Sequence, residues 1–492
     1  MAYAGTMPIP LLFFALVPAQ STGVSLAPHV DWPLTGSQPQ EVAVVDFDRD
    51  GDLDLVVSSS GDPDQTLKWN DGTGVFDDEE SIITAFPSWG VGVGDFDGNG
   101  WPDLAFGDGW YGGSDVEVWF GNPADPARPV LGAVLAAGSF PIALRGGDVD
   151  GDGDDDLVVA NDVSGGVMLF RNLGGGVFGT AEQLPSTASM ACRKLELADV
   201  DGDGDLDVVL TAYGLWVFPN DGTGHFPVRN HVGASGHVGL AVADFDQDGI
   251  LDFATSALYS NVVDVIRGDG AGGGRLIGSV AFSADVTGLH AADLNGDGLA
   301  DLVGVLSWPG QVAVVTGHGD GTFHTAQTFA TDVAPQVVAS GDFDSDGDPD
   351  LVTANRVHGA DATVSVLDDV SPPEAWRHLG LGLEGPSGDL PLLRGSGATQ
   401  PGGSVRLDLE HGAAGGNAVL VVGRARRDLP FSGGVLVPRP DFVLPPLPLD
   451  AQGAGAWNLT VPPTTPVGSS AWFQAWMDTR DAASNGLRLT IG

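Results

Sequence analysis

Cys192 is the only cysteine in 492 residues, so no intramolecular disulfide can hold the fold. Basic residues are scarce too: 20 Lys and Arg face 66 Asp and Glu, for a formal net charge of −46. A charge of that size repels phosphate backbones and anionic headgroups, which excludes nucleic acid and a basic membrane-binding patch. The partners left are cationic, neutral or metallic. No segment reaches the roughly 18 consecutive apolar residues of a spanning helix, so no membrane span is expected in the mature chain. Glutamate is rare beside aspartate, nine against 57. No Gly-x-Ser-x-Gly, His-Glu-x-x-His or phosphate-binding Gly-rich Lys loop occurs.

Glycine and proline are abundant, 74 and 33 residues, without a collagen-like period. Hydrophobic residues make up 42% of the chain and the mean hydropathy is +0.09, enough to fill a core. This composition predicts an all-β protein of many short strands joined by turns. Near the start, the apolar run Ile9 to Val17 followed by Val17-Pro18-Ala19 reads as a signal peptide over residues 1–19 and predicts a secreted or cell-surface protein. The basic flank of such a signal is missing, since the first Lys or Arg is Arg49.

One pattern repeats seven times: Asp-x-[Asp/Asn]-x-[Asp/Asn]-Gly-x-x-Asp, beginning at Asp46, Asp95, Asp148, Asp199, Asp244, Asp293 and Asp342, at intervals of 45 to 53 residues. Short apolar stretches flank each loop, a third follows, and a Gly-rich turn closes on Phe, as in Asn70-Asp71-Gly72-Thr73-Gly74-Val75-Phe76 and Asn220-Asp221-Gly222-Thr223-Gly224-His225-Phe226. Four strands per repeat, seven times over, predict a seven-bladed β-propeller.

The loops carry oxygen donors at positions 1, 3, 5 and 9, with Gly at 6 for the reversal, a spacing that wraps a hard cation of calcium size. The candidate ligands are Asp46, Asp48, Asp50 and Asp54; Asp95, Asp97, Asn99 and Asp103; Asp148, Asp150, Asp152 and Asp156; Asp199, Asp201, Asp203 and Asp207; Asp244, Asp246, Asp248 and Asp252; Asp293, Asn295, Asp297 and Asp301; and Asp342, Asp344, Asp346 and Asp350. An EF-hand is excluded, because its Glu at position 12 is replaced by Val57, Phe106, Val159, Leu210, Thr255, Gly304 and Thr353. Aspartate also favours turns without any metal, so one such loop would say little. Seven loops of one spacing, holding 31 aspartates, point to metal. Up to seven structural Ca²⁺ ions are expected, with folding linked to binding, and full occupancy would move the formal charge of −46 to −32.

These loops and the Asn-Asp-Gly-Thr-Gly-x-Phe turns resemble the FG-GAP and VCBS repeats of secreted bacterial proteins and of the N-terminal propeller of integrin α subunits. The resemblance covers about residues 22–370. It implies a calcium-stabilised propeller with ligand recognition at one pole, and it spans adhesins, receptor modules and non-catalytic parts of enzymes. Blade 2 departs from it, with Asn122-Pro123-Ala124-Asp125-Pro126 in place of the Gly-rich turn.

The seventh repeat lacks a fourth strand, and Val24 to Pro33 is expected to supply it and close the ring. Alternating strand direction puts the acidic loops and Gly-rich turns on one pole. The other pole then collects Trp89, Trp110, Tyr111, Arg193, Tyr213, His237, Tyr259, Trp308 and His358 as candidate ligand contacts, unless they merely cap the blades. Arg267-Gly268-Asp269 spells an integrin-ligand tripeptide but occupies an ordinary turn of the repeat.

From Ser371 onward ten acids meet nine bases, which marks a boundary after a linker at residues 371–373. Strand-like runs beyond it predict a β-sandwich over residues 374–492, in which Trp472, Gln474 and Trp476 share one face, for inter-domain packing or a sugar platform. Three functional readings remain open: a non-catalytic recognition or adhesion module for a glycan or protein at the cell surface, a polysaccharide-active hydrolase or lyase, and a structural envelope component. Oligomeric state is not readable from the chain.

Overall fold

The computed structural model describes residues 23–369 except 111, 234–236 and 357–361, and beyond them only the backbone of strands in the last part of the chain. The chain divides into two compact units, Met1–Val370 and Ser371–Gly492. The signal-peptide reading of residues 1–19 lies outside the described residues.

The first unit is a ring of seven four-stranded antiparallel sheets. Blade 1 runs Pro39–Val45, Asp54–Ser59, Asp64–Trp69 and Asp78–Ile83 from inside to outside, and five blades repeat that order. Blade 7 takes three strands from the end of the repeats, Pro335–Gly341, Asp350–Asn355 and Thr363–Leu367, and its fourth from the start of the chain. Val30–Pro33 pairs with Thr363–Leu367 in the register Val30↔Val366, and a bridge from Leu26 to Asp369 extends the contact. The ring is therefore closed by strand pairing between distant parts of the chain, as the sequence predicts.

The second strand of each blade is apolar on both faces, because it lies between two neighbouring blades. In Asp54–Ser59 every residue is buried. Period-two alternation sends Leu55 and Val57 into the cluster shared with blade 7, around Phe343 and Val352, and sends Val56 into the cluster shared with blade 2, around Leu104 and Phe106. Seven such clusters fill the seven junctions. Outer strands alternate toward solvent, as in Asp78–Ile83. In blade 2 the departing Asn122 turn still closes its hairpin. The Asn122 carbonyl accepts from Asp125 N at 3.0 Å, and strands Asp115–Phe120 and Val130–Ala136 pair throughout.

The innermost strands carry a cluster of charge that crosses the ring. Arg145 of blade 3 donates to Glu41 of blade 1 at 3.2 Å and to Glu196 of blade 4 at 2.9 Å, while Lys194 of blade 4 reaches the other Glu41 oxygen at 3.2 Å. Burial would raise the Glu41 carboxyl, but Lys194 and Arg145 outweigh it and hold the group below the usual range. These four residues are absent from the sequence reading.

The second unit is also all strands where described. Ser404–Glu410, Asn417–Gly423, Gly434–Pro438, Gly455–Thr460, Ser470–Met477 and Leu487–Thr490 fall on the runs expected from sequence, and they join sheets of six, three and two strands. The side chains of Trp472, Gln474 and Trp476 lie outside the described residues.

Replacing Glu41 by Ala leaves Lys194 without its carboxylate in the ring interior and Arg145 with Glu196 alone. Denaturant unfolding is expected to show a loss of about 3–5 kcal/mol, and an unchanged midpoint would remove the cluster from any role in stability.

Candidate functional site

Each acidic loop joins the first strand of a blade to the second, and the ninth loop residue opens that second strand in all seven blades. The glycine at position 6 has a positive φ throughout, from +82° at Gly100 to +106° at Gly51, a conformation side chains resist. That reversal lets the first carboxylate accept the Gly N–H, as in Gly100 to Asp95 at 2.8 Å and Gly298 to Asp293 at 2.8 Å. The fifth residue accepts from the seventh N–H, as in Asp52 to Asp50 at 3.0 Å.

Most of these carboxylates accept backbone N–H groups, some with both oxygens as Asp148 does, and their oxygens converge. Oxygens of Asp46, Asp48 and Asp50 lie within 4.8 Å of one another, as do those of Asp95, Asp97 and Asp103, of Asp148, Asp150 and Asp156, of Asp199, Asp201 and Asp203, and of Asp244, Asp246 and Asp248. Among them, Asp46 Oδ1, Asp95 Oδ1, Asp150 Oδ1 and Asp201 Oδ1 are buried with no hydrogen-bond partner. A buried carboxylate oxygen left bare is costly, and a cation among these oxygens removes the cost. The donor sets therefore fit a metal ion.

The ninth aspartate does a second job. Asp54 accepts from Phe47 N at 3.0 Å with one oxygen and from Asn70 N at 3.0 Å with the other. Asp156, Asp207, Asp252, Asp301 and Asp350 repeat this double acceptance, tying the acidic loop to the turn after the third strand. Each oxygen keeps a lone pair for a cation. That turn also reaches the loop of the preceding blade around the ring. Asn70, Asn172 and Asn220 donate to the carbonyls of Phe343, Phe96 and Val149 at 2.6–2.7 Å. The phenylalanine closing the turn stacks edge-on with the loop's second residue, as in Phe76 on Phe343 at 5.5 Å.

Burial, reinforced by neighbouring carboxylates and opposed by the N–H bonds, pushes the ninth aspartates up: to about 7 for Asp54, Asp103, Asp301 and Asp350, and to about 6 for Asp156, Asp207 and Asp252.

Two loops have carboxylates paired with an arginine from the end of the blade's third strand. Arg171 pairs with Asp150 at 2.6 Å in blade 3, and Arg267 pairs with Asp246 at 2.9 Å and with Asp248 in blade 5. Arg267 is thus turned into the loop, while Asp269 accepts from Ala271 N and Gly273 N, so the Arg-Gly-Asp tripeptide serves its own turn.

On the opposite pole, Trp110, Tyr213, Tyr259 and Trp308 stand 65%, 72%, 85% and 82% exposed. Trp89 is half-buried against Phe140, with ring centroids 5.3 Å apart, and so caps its blade. Arg193 pairs with Asp162 at 3.1 Å. His237 begins the strand His237–Ala243, its side chain outside the described residues, as are Tyr111 and His358. Of the sequence candidates, Tyr259 and Trp308 are brought together. They line one cleft of about 410 Å³ with Val238, Leu258, Val286 and the polar Asp285, Thr287 and Ser307.

Fold and loops together define a seven-bladed propeller with repeated acidic loops whose oxygens could hold a metal ion. The model of the FG-GAP-like repeat matches residues 46–106, 148–210 and 293–353, and the ring is an FG-GAP repeat propeller. A comparison with curated proteins finds no match. Among solved structures, the BBS1N chain of a complex with ARL6DN is similar at a TM-score of 0.51 and 12% identity, covering 70% of this chain and 98% of that one. A lectin from Agrocybe aegerita described as recognising non-reducing terminal N-acetylglucosamine gives 0.46 and 20%, covering 68% and 96%. The PQQ-bound aldose sugar dehydrogenase of Streptomyces coelicolor gives 0.39 and 11%, covering 71% and 99%. At these identities the first likeness concerns the fold alone.

Two outcomes are expected. A carboxyl raised in the folded state stabilises the metal-free chain at low pH and loses that effect as pH rises through about 6 to 7. In excess chelator the melting temperature should therefore fall between about pH 5 and pH 8, while the gain on adding a divalent cation should widen over the same range. A gain that narrows would contradict these loops as the binding sites. Arg267→Ala should lower the melting temperature in chelator and tighten one cation site in calorimetric titration, with the other sites unchanged.

Proposed function

We propose that this chain is a secreted propeller, stabilised by up to seven calcium ions, that recognises a glycan at the cell surface without turning it over. The observation that carries the reading is the separation of two surfaces. Acidic loops occupy one pole, and the turns of the other hold four aromatic side chains between 65% and 85% exposed. Rings this exposed are expensive unless something covers them, and flat apolar faces with polar tips are what a sugar ring stacks on.

Calcium is favoured over softer metals because the loops offer oxygen alone, from carboxylates and the amides of Asn99 and Asn295. The holding residues would be those at loop positions 1, 3, 5 and 9. A bound Ca²⁺ would offset two of the negative charges in each loop, and the chain's own asparagines and phenylalanines would carry that rigidity to the preceding blade. Export is supported by the apolar run Ile9 to Val17 and by a metal that extracellular modules bind at millimolar levels.

The test is a glycan and polysaccharide array probed with the calcium-loaded mature chain, then repeated after chelation. Saturable binding to a subset of glycans, lost with calcium, is expected. Depolymerisation of a bound polysaccharide would overturn the non-catalytic reading, and silence on every glycan would overturn the glycan in favour of a protein partner.

A further inference from the structure

We infer that the cleft between blades 5 and 6 is the sugar subsite of this pole, built for one neutral or amino-bearing pyranose ring and closed to uronic or sulfated sugars. The inference rests on the recognition reading above and gives it a place and a ligand chemistry.

The cleft is made by three segments. The second-to-third turn of blade 5 contributes Leu258 and Tyr259, the connection into blade 6 contributes Asp285, Val286 and Thr287, and the corresponding turn of blade 6 contributes Ser307 and Trp308. Its volume of about 410 Å³ lies within the roughly 300–1,000 Å³ of small-ligand sites. Val286, 1% exposed, lines the cleft together with two rings that are 85% and 82% exposed.

Tyr259 carries a backbone φ of +57°, the left-handed region that a bulky residue rarely enters. Glycine or asparagine would hold this turn with less strain, so the aromatic side chain is kept against local preference, a pattern concentrated at functional sites. The turn is fixed where it stands: Ser260 N donates to Ala257 O at 3.2 Å, and Val286 N donates to Ser260 O at 2.9 Å. Trp308 is anchored in the same way. Its neighbour Ser307 donates to Pro335 O at 2.6 Å and lies 2.8 Å from the Thr287 hydroxyl. Both rings are thus presented by ordered backbone, which reduces the entropy lost on binding.

The polar groups of the lining are few: the Thr287 and Ser307 hydroxyls, bonded to each other and to backbone carbonyls, the Tyr259 hydroxyl, and the acidic Asp285, the one charged residue of the lining. A carboxylate accepts from hydroxyl or ammonium groups and repels a second anion. The formal charge of −46 adds to that repulsion at longer range.

Calorimetry on the full calcium-loaded chain tests this with neutral hexose and N-acetylhexosamine oligosaccharides, chitosan oligomers and oligouronates. Trp308→Ala and Tyr259→Ala are expected to weaken the neutral or amino sugars at least about tenfold, while Leu173→Ala, 67% exposed in the Gly-rich turn of blade 3 on the acidic-loop pole, stays within about twofold. Tyr259→Gly should lose binding while keeping or raising the melting temperature, which separates a lost contact from a lost fold. Binding that survives Trp308→Ala and fails in Trp110→Ala overturns the cleft and leaves glycan recognition standing. Oligouronates binding as well as neutral sugars overturns the charge argument, and no binding to any sugar overturns the cleft together with the glycan reading.

Discussion

A buried carboxylate accepting two backbone N–H groups is the joint on which this propeller turns. The ninth aspartate of each acidic loop sits at the head of its blade's most buried strand and fixes the start of the loop and the turn beyond the third strand at once. With that joint made, the asparagine and phenylalanine of the turn are aimed at the neighbouring loop. Order therefore passes around the ring from blade to blade, through contacts that begin at one side chain per repeat. The same burial that makes the joint rigid makes its charge expensive, which is why the loop above it gathers oxygens suited to a cation.

The acidity of the chain is distributed among different solutions to one problem. In the ring interior, Glu41 and Glu196 are answered by Arg145 and Lys194. In blades 3 and 5, arginines from the chain lean into the loops. In the loops of blades 1, 2, 3 and 4, oxygens such as Asp46 Oδ1, Asp95 Oδ1, Asp150 Oδ1 and Asp201 Oδ1 lack even a hydrogen bond, so Arg171 answers only part of the blade 3 loop.

Much of this was legible in the sequence because the repeat is local. Loop spacing, strand order and even closure by the segment Val24 to Pro33, whose pairing strand is Val30–Pro33, follow from residues close together or from simple counting of strands. What escaped were partnerships between blades. Arg145 and Glu41 are 104 residues apart, and Lys194 and Glu41 153, with no spacing that announces them. Trp89 and Trp308 look equivalent in a list of aromatic turn residues, yet Phe140 covers one and nothing among the described residues covers the other to the same degree. The ninth aspartate was legible as an oxygen donor; its hold on two backbone segments belongs to geometry that a spacing rule does not contain.

Closure of blade 7 has a consequence for how the molecule comes into being. The hydrogen bond from Ser365 to Asp31 spans 334 residues, so the ring stays an open arc until nearly the whole repeat array has been made. Until then two sheet edges face solvent, each able to pair with a foreign strand. A nascent chain must wait with its first strand unmatched, and any product cut short within the array keeps that edge for good. The seventh blade is in this sense a proof of completeness: only an intact array can withdraw both of its edges from other chains.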